Sequence, residues 1–451
     1  MQPRNFSGFP FAPSRFPFFY GWVIVFATTV GLIASIPGQT MGVGVFIEPL
    51  MEALGLSRLE VSTAYFYGTV TSALVLPLTG SLYDRWGARS MIVISSLGLG
   101  LSLLYLSECD RITARVESYF GTAGNAVAAM AVTSCGFFLA RFWGQGVLTM
   151  TSRATLGKWF HRRRGLASGL SGIFVTASFA YAPLGLQGLI DTHGWRGAWL
   201  LLGACLCLGM STIGWLLYRD NPEKCGLRMD GAPPETLPKA EDASFAQPNP
   251  LSHVEFTAGQ AIRTYPFWIF NLSLALPALI VTALTFHIES FGSKAGLTAG
   301  EAVKLFAPMA VFSVTSNFVG GWLSDRIRIK YLLWLFLGFL ALGTSGLLAF
   351  GHPAGHWCIV SGIGIAGGLF AILMAVVWPR FYGRKHLGAI ASINMSTIVL
   401  ASAIGPVLFA RAEARTGSYT ASILIAVGLC LAACIASVRL ENPQRTTISP
   451  A

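Results

Sequence analysis

The chain has 451 residues, 53% of them hydrophobic and 11% charged, with a formal net charge of +11 and a mean hydropathy of +0.61. Soluble domains carry about 25% charged residues, so this composition excludes a soluble globular protein and points to one built in a bilayer. The basic residues fall in short loops between apolar segments, which sets nucleic acid aside as a partner and leaves the lipid bilayer.

A helical span needs about 20 mainly apolar residues. Twelve stretches qualify, near 20–44, 60–82, 90–107, 128–156, 165–189, 197–218, 266–287, 302–323, 331–350, 356–378, 388–410 and 419–438. They are too long and too continuously apolar for the alternating strands of a membrane barrel. The N-terminal "MQPRNFSGFPFAPSRFPFFYGW" shows no small-residue cleavage site, so the first span is read as retained. Loops assigned alternately place 21 Lys and Arg on one side and 8 on the other, with Arg141 and Arg153 inside the fourth span. The positive-inside rule then puts both termini in the cytoplasm, in the inner membrane if the source is bacterial. The eight cysteines show no ligand spacing and read as small hydrophobes, with no metal or cofactor implied.

The chain also contains itself twice. Shifted by 241, residues 47–85 align without gaps on 288–326, and 11 of those 39 positions are identical, where about three are expected from composition. The repeat carries "GSLYDR" onto "GWLSDR", and Ser57-x-x-Glu60 onto Thr298-x-x-Glu301, a capping-box pattern that opens a helix. Later the shift becomes 223, with Gly165, Pro183 and Gly194 falling on Gly388, Pro406 and Gly417. The missing 18 residues place an insertion in the first half, assigned to an enlarged external loop at 107–125 with no chemistry attached. Residues 219–262 are polar, charged and proline-rich, as linkers are. The expected fold is an all-α membrane protein of twelve transmembrane helices in two pseudo-symmetric six-helix bundles, 1–218 and 263–451, joined by a cytoplasmic linker at 219–262. In such repeats the substrate site lies at the interface of the halves.

Gly80, Asp84, Arg85, Gly87 and Arg89 in "GSLYDRWGAR" resemble the signature loop between the second and third helices of the major facilitator superfamily. The second copy keeps Gly321, Asp325 and Arg326, with Arg328 where the later glycine would stand. "RFWGQG" at 141–146 is similar to that superfamily's fourth-helix motif. "GWVIVF", "GVFIEPLMEALGLSR" and "KWFHRRRGLASG" look most like the branch of oxalate/formate antiporters and monocarboxylate porters. The resemblance implies a gate at the two motif loops. Branch members that carry a small dianion use an arginine in the eighth helix and a lysine in the eleventh. Neither "MAVFSVTSNFVGGWL" nor "IASINMSTIVLASAIGPVLF" contains a basic residue, which argues against a dicarboxylate held by that pair.

Arg141, Gln145, Thr149 and Ser152 form one polar stripe down the fourth span. A lipid-facing arginine costs at least about 2.5 kcal/mol at mid-bilayer, so the stripe faces protein or a watery cavity. Either Arg141 meets an anionic substrate or it caps backbone carbonyls between helices. Ser35 and Gln39 share a face of the first span, interrupted by "PGQTMG", and Asn271 and Thr282 share one on the seventh; Asn317 and Asn394 are either cavity contacts or interhelical hydrogen bonds. His287, Glu289 and Glu48 are candidates for proton coupling, or mark wet helix ends. No P-loop or other enzyme motif is present.

The function expected from sequence is secondary active transport of a small, monocarboxylate-like organic anion by alternating access, by a monomer, with a proton or an exchanged anion as coupling partner. The alternatives are proton-coupled efflux of hydrophobic or drug-like compounds and, from another class, a non-transporting receptor or sensor, for which the terminal "ENPQRTTISPA" is short.

Overall fold

The computed structural model describes residues 10–120, 126–231, 254–297 and 304–446, and every regular element among them is a helix. Nine of these helices are long and apolar enough to cross a membrane. Two of the nine are each a pair of spans joined across one glycine. Gly87 (φ 82°, ψ 169°) breaks Arg58–Ser107, and Gly194 (φ 67°, ψ 164°) breaks Arg164–Ala204. A side chain strongly disfavours such angles, so the chain reverses there without a loop. With the polar-faced helix Phe306–Ser324, the twelve spans expected from hydropathy are all present.

In chain order they are α1 (Gly21–Ala34), α2 (58–86), α3 (88–107), α4 (Ala126–Trp159), α5 (164–193) and α6 (195–217). The second half holds α7 (Tyr265–Lys294), α8 (Phe306–Ser324), α9 (Ile329–Gly346), α10 (Pro353–Tyr382), α11 (Leu387–Thr416) and α12 (Thr420–Ala436). Leu74, Leu78, Phe174, Val311 and Ile435 point outward and remain exposed, an arrangement that bilayer hydrocarbon, not water, makes favourable.

The repeat is visible in the backbone. Gly55 and Gly296 both take positive φ, at 62° and 75°, as do Gly194 and Gly417, at 67° and 68°. Ser57 and Glu60 close the expected capping box at the start of α2; its copy at Thr298 and Glu301 lies outside the described residues. The insertion after α3 is a helix, Cys109–Phe120, pinned by ion pairs of Asp110 with Arg196 and of Glu108 with Arg111. All eight cysteines are unpaired.

Two interruptions shape the interior. "PGQTMG" becomes a 3-10 turn, Ile36–Gly38, followed by a short helix, Thr40–Gly44. Within α4 the segment Arg141–Leu148 is wound as a π-helix, a local widening often found at functional sites.

Positive φ, rather than crowding, fixes Gly417, because nothing lies within 4 Å of a Cβ built there. Gly417→Ala is expected to lower stability by about 1 kcal/mol. Gly428, equally uncrowded but within α12 at ordinary helical angles, should gain stability on replacement by alanine. Thermal unfolding of the two purified variants checks the opposite signs.

Candidate transport pathway and gate

The motif carboxylates each cap a helix of the opposite half. Asp84, at the end of α2, accepts hydrogen bonds from the backbone N–H groups of Gly388 and Ala389, both at 2.9 Å. These are unsatisfied first-turn donors of α11, where the helix dipole favours an anion. Asp325, at the end of α8, accepts from Gly165 and Leu166 at the start of α5, at 3.2 and 3.3 Å. It is also ion-paired with Arg380, which donates to the Ser324 carbonyl at 2.6 Å. The contact needs glycine on both sides of each crossing. A Cβ on Gly80 would lie 2.2 Å from the Gly388 carbonyl oxygen, and one on Gly321 would lie 2.5 Å from that of Gly165.

Arg85 is exposed, and Arg326 lies over its own Trp322 ring at 4.0 Å. Arg89 donates to the Tyr218 carbonyl at 3.3 Å, and Gly87 faces Asp220. Arg89 therefore ties the start of α3 to the end of α6 within the first half, while the aspartates reach across.

The linker straps the same face, called here the linker face. Asp230 accepts from the backbone N–H groups of His161, Arg162 and Arg163 ahead of α5. Glu255 does the same for Arg384 and Lys385 ahead of α11, both at 2.7 Å. Arg384 donates to the Lys158 carbonyl at 2.6 Å and pairs with Glu223 at 2.8 Å. Burial pushes the Asp220 carboxyl up, but Lys158 and Lys224 outweigh it and hold the group below its ordinary value. Burial, reinforced by Arg164, Arg380, Arg384 and Arg162, pushes the His161 imidazole down to about 3.

Deeper in, α1, α2, α4 and α11 meet at Arg141. Its side chain is fully buried and donates to the hydroxyls of Thr40 at 3.0 Å and Ser402 at 2.9 Å, so it bridges the two halves. The Tyr65 ring lies 5.3 Å away, and the Tyr65 hydroxyl donates to Thr40. Beside this cluster Gln39 donates to Ser35 at 3.0 Å and to Thr149 at 3.2 Å, and the Gln145 side-chain oxygen is buried without a partner. Thus Arg141, Gln145, Thr149, Gln39 and Ser35 are brought together. Thr40, Tyr65 and Ser402 join them without having been singled out from sequence.

The other sequence candidates lie apart from this cluster. Asn394 donates to the Asn271 side chain at 2.9 Å, and Asn271 donates to Thr397 at 3.0 Å, which ties α7 to α11 within one half. Asn317 is wholly buried against Gly172 of α5, with neither side-chain polar atom partnered. Thr282 is buried in α7. Glu48 pairs with Arg58 at an exposed helix end. His287 bonds the Pro406 carbonyl at 3.0 Å and packs on Tyr419; the side chain of Glu289 lies outside the described residues.

α2 and α11 are locked together by a proline effect. Pro77 has no N–H, which leaves the Ala73 carbonyl without its helical donor, and the Ser396 hydroxyl of α11 fills that place at 2.6 Å. Ser392 also reaches the Pro77 carbonyl, at 3.3 Å.

Twelve helices in two repeated bundles, closed on one face by reciprocal carboxylate caps, define an integral membrane transporter. A sequence model of the Major Facilitator Superfamily matches residues 23–406, and the chain belongs to that superfamily. It is similar to human Monocarboxylate transporter 11, at 25% identity over 421 residues covering 91% of this chain and 81% of that protein. It is also similar to Monocarboxylate transporter 4 of Gallus gallus, at 27% identity covering 86% and 75%. In fold it resembles a bacterial homologue of the iron transporter ferroportin in an outward-facing state, with a TM-score of 0.66 at 14% identity, covering 92% of this chain and 98% of that one. The human organic anion transporter MFSD10 (TETRAN) superposes with a TM-score of 0.60, also at 14% identity, over 92% and 99%.

Removing either carboxylate is expected to loosen the same seal. Asp84→Asn and Asp325→Asn should each raise the labelling rate of a cysteine placed at Ala391 by a thiol reagent applied from the linker face; an unchanged rate in both would show that the caps do not hold the face shut. His161 stays neutral in the folded state although an unfolded histidine titrates near pH 6.5. Its penalty is absent above that pH and grows as pH falls from about 6.5 toward 3. The unfolding temperature should therefore drop between pH 8 and 5, and less steeply in His161→Gln.

Proposed function

We propose that this transporter moves a small monocarboxylate-like organic anion by alternating access, with the substrate carboxylate bound near Arg141. The observation that carries the reading is a guanidinium buried at mid-span, held among the described residues by two hydroxyls, a backbone carbonyl and the Tyr65 ring, with no carboxylate pairing to it there. A buried cation without a counter-charge is costly, and an anionic substrate offsets that cost when it binds. The names of the relatives, Monocarboxylate transporters 11 and 4, point to the same chemical class.

In this reading the bundles 1–218 and 263–451 rock about the cavity, and the linker 219–262 lies in the cytoplasm with both termini. Gln39, Ser35, Thr149 and Gln145 line the Arg141 site, and the protein works as a monomer. The reciprocal caps of Asp84 and Asp325 are made while the cytoplasmic face is shut and break when it opens. A proton or a second anion carries the coupling.

Purified protein should be stabilised by acetate or benzoate, and not by tetraphenylphosphonium, in a thermal-shift titration. In proteoliposomes Arg141→Gln should lower uptake of the stabilising anion at least tenfold, with Arg141→Lys retaining more. Stabilisation by the hydrophobic cation alone would replace this reading with efflux of drug-like compounds.

A further inference from the structure

A second arginine of α4 stands apart from everything assigned so far. Arg153 lies twelve residues beyond Arg141, about 18 Å along the helix, and six residues, about 9 Å, before the helix ends at Trp159 on the linker face. Among the described residues its Nε is buried without a partner, and the one bond it makes is a long one, 3.4 Å, to the Ala371 carbonyl of α10. No carboxylate pairs with it among the described residues.

The guanidinium borders a cavity of about 20 Å³ between the halves, room for about one water molecule. Apart from Arg153 its wall is apolar, with Met150 and Ala154 from α4, Met374 and Trp378 from α10, and Met395 from α11. One wall belongs to the first half and the others to the second, so separating the halves at the linker face widens this space. Methionine side chains reshape easily around different apolar groups, and Trp378 offers a broad flat surface. One fixed positive charge in an otherwise apolar, adaptable pocket matches a single carboxylate attached to an apolar tail.

We propose that Arg153 forms a second anion station, which takes the carboxylate of an aryl or branched-chain monocarboxylate when the transporter is open to the linker face, while Met374, Trp378 and Met395 hold the tail. The station rests on the anion-transport reading above but does not follow from it, since Arg141 alone serves that reading. It gives the path two charged steps: Arg141 with the linker face shut, Arg153 with it open.

The test uses full-length protein in oriented proteoliposomes, with benzoate and acetate as probes presented separately at each face. Arg153→Gln should raise the KM for benzoate at the linker face at least tenfold and at the opposite face by a clearly smaller factor; Arg153→Lys should recover part of the loss. Trp378→Leu should reduce the preference for benzoate over acetate, measured as kcat/KM, at least fivefold. If the wild type carries benzoate while Arg153→Gln leaves its KM unchanged, or raises it equally at both faces, the second station is overturned and the anion-transport reading survives. If the wild type carries neither probe, both fall. Should Arg153→Gln fail to fold, an unchanged benzoate preference in Trp378→Leu overturns the station by itself.

Discussion

Two carboxylates at two helix starts organise this protein. Asp84 and Asp325 each satisfy first-turn backbone donors of a helix in the other half, α11 and α5, and each does so where paired glycines let the backbones touch. An anion at a helix N-terminus gains from both hydrogen bonds and the dipole, yet the geometry tolerates no added side chain. The contact is thus strong when made and is lost as a unit when the helices part. That all-or-none character suits the alternating-access seal proposed above, and the linker carboxylates Asp230 and Glu255 extend the same chemistry to the loops beside it.

Inside the seal, polar chemistry is sparse and placed by helix irregularity. The broken end of α1 delivers Gln39 and Thr40, the π-wound stretch of α4 presents Arg141, and the missing N–H of Pro77 makes the Ala73 carbonyl available to Ser396. In hydrocarbon, irregular backbone is tolerated only where protein or a watery cavity satisfies it. The break after α1 is answered by Arg141 of α4, and the freed Ala73 carbonyl by Ser396 of the other half. Thr149 closes the π-wound stretch within α4 itself, and Arg141 in turn reaches Ser402 of the other half.

Sequence reading and structure diverge in instructive ways. From sequence Asn394 is either a cavity contact or an interhelical hydrogen bond, and the structure shows the second, with Asn271 as its partner; nothing in either local sequence reveals that α7 and α11 face one another. Arg153 is visible in the sequence as an intramembrane charge, but the stripe that the helical period draws from Arg141 through Gln145, Thr149 and Ser152 does not include it. Arg380, which serves Asp325, looked like one more positive residue at a helix end. The segment after α3 holds a helix, Cys109–Phe120, whose Asp110 pairs across space with Arg196, a partner that no local sequence reveals.

The sequence alone determined the class, the twelve spans, the repeat and the motif glycines and aspartates, because bilayer thickness dictates span length and a duplicated element keeps its glycines and aspartate at a constant offset. It could not say what those residues touch. Offsets of 241 and 223 equate Gly80 with Gly321 and Gly165 with Gly388, whereas the tertiary structure packs Gly80 on Gly388 and Gly321 on Gly165. Equivalence is a property of the chain's history and is written along it. Contact depends on how two twisted bundles meet, and only three dimensions decide which equivalent positions become partners.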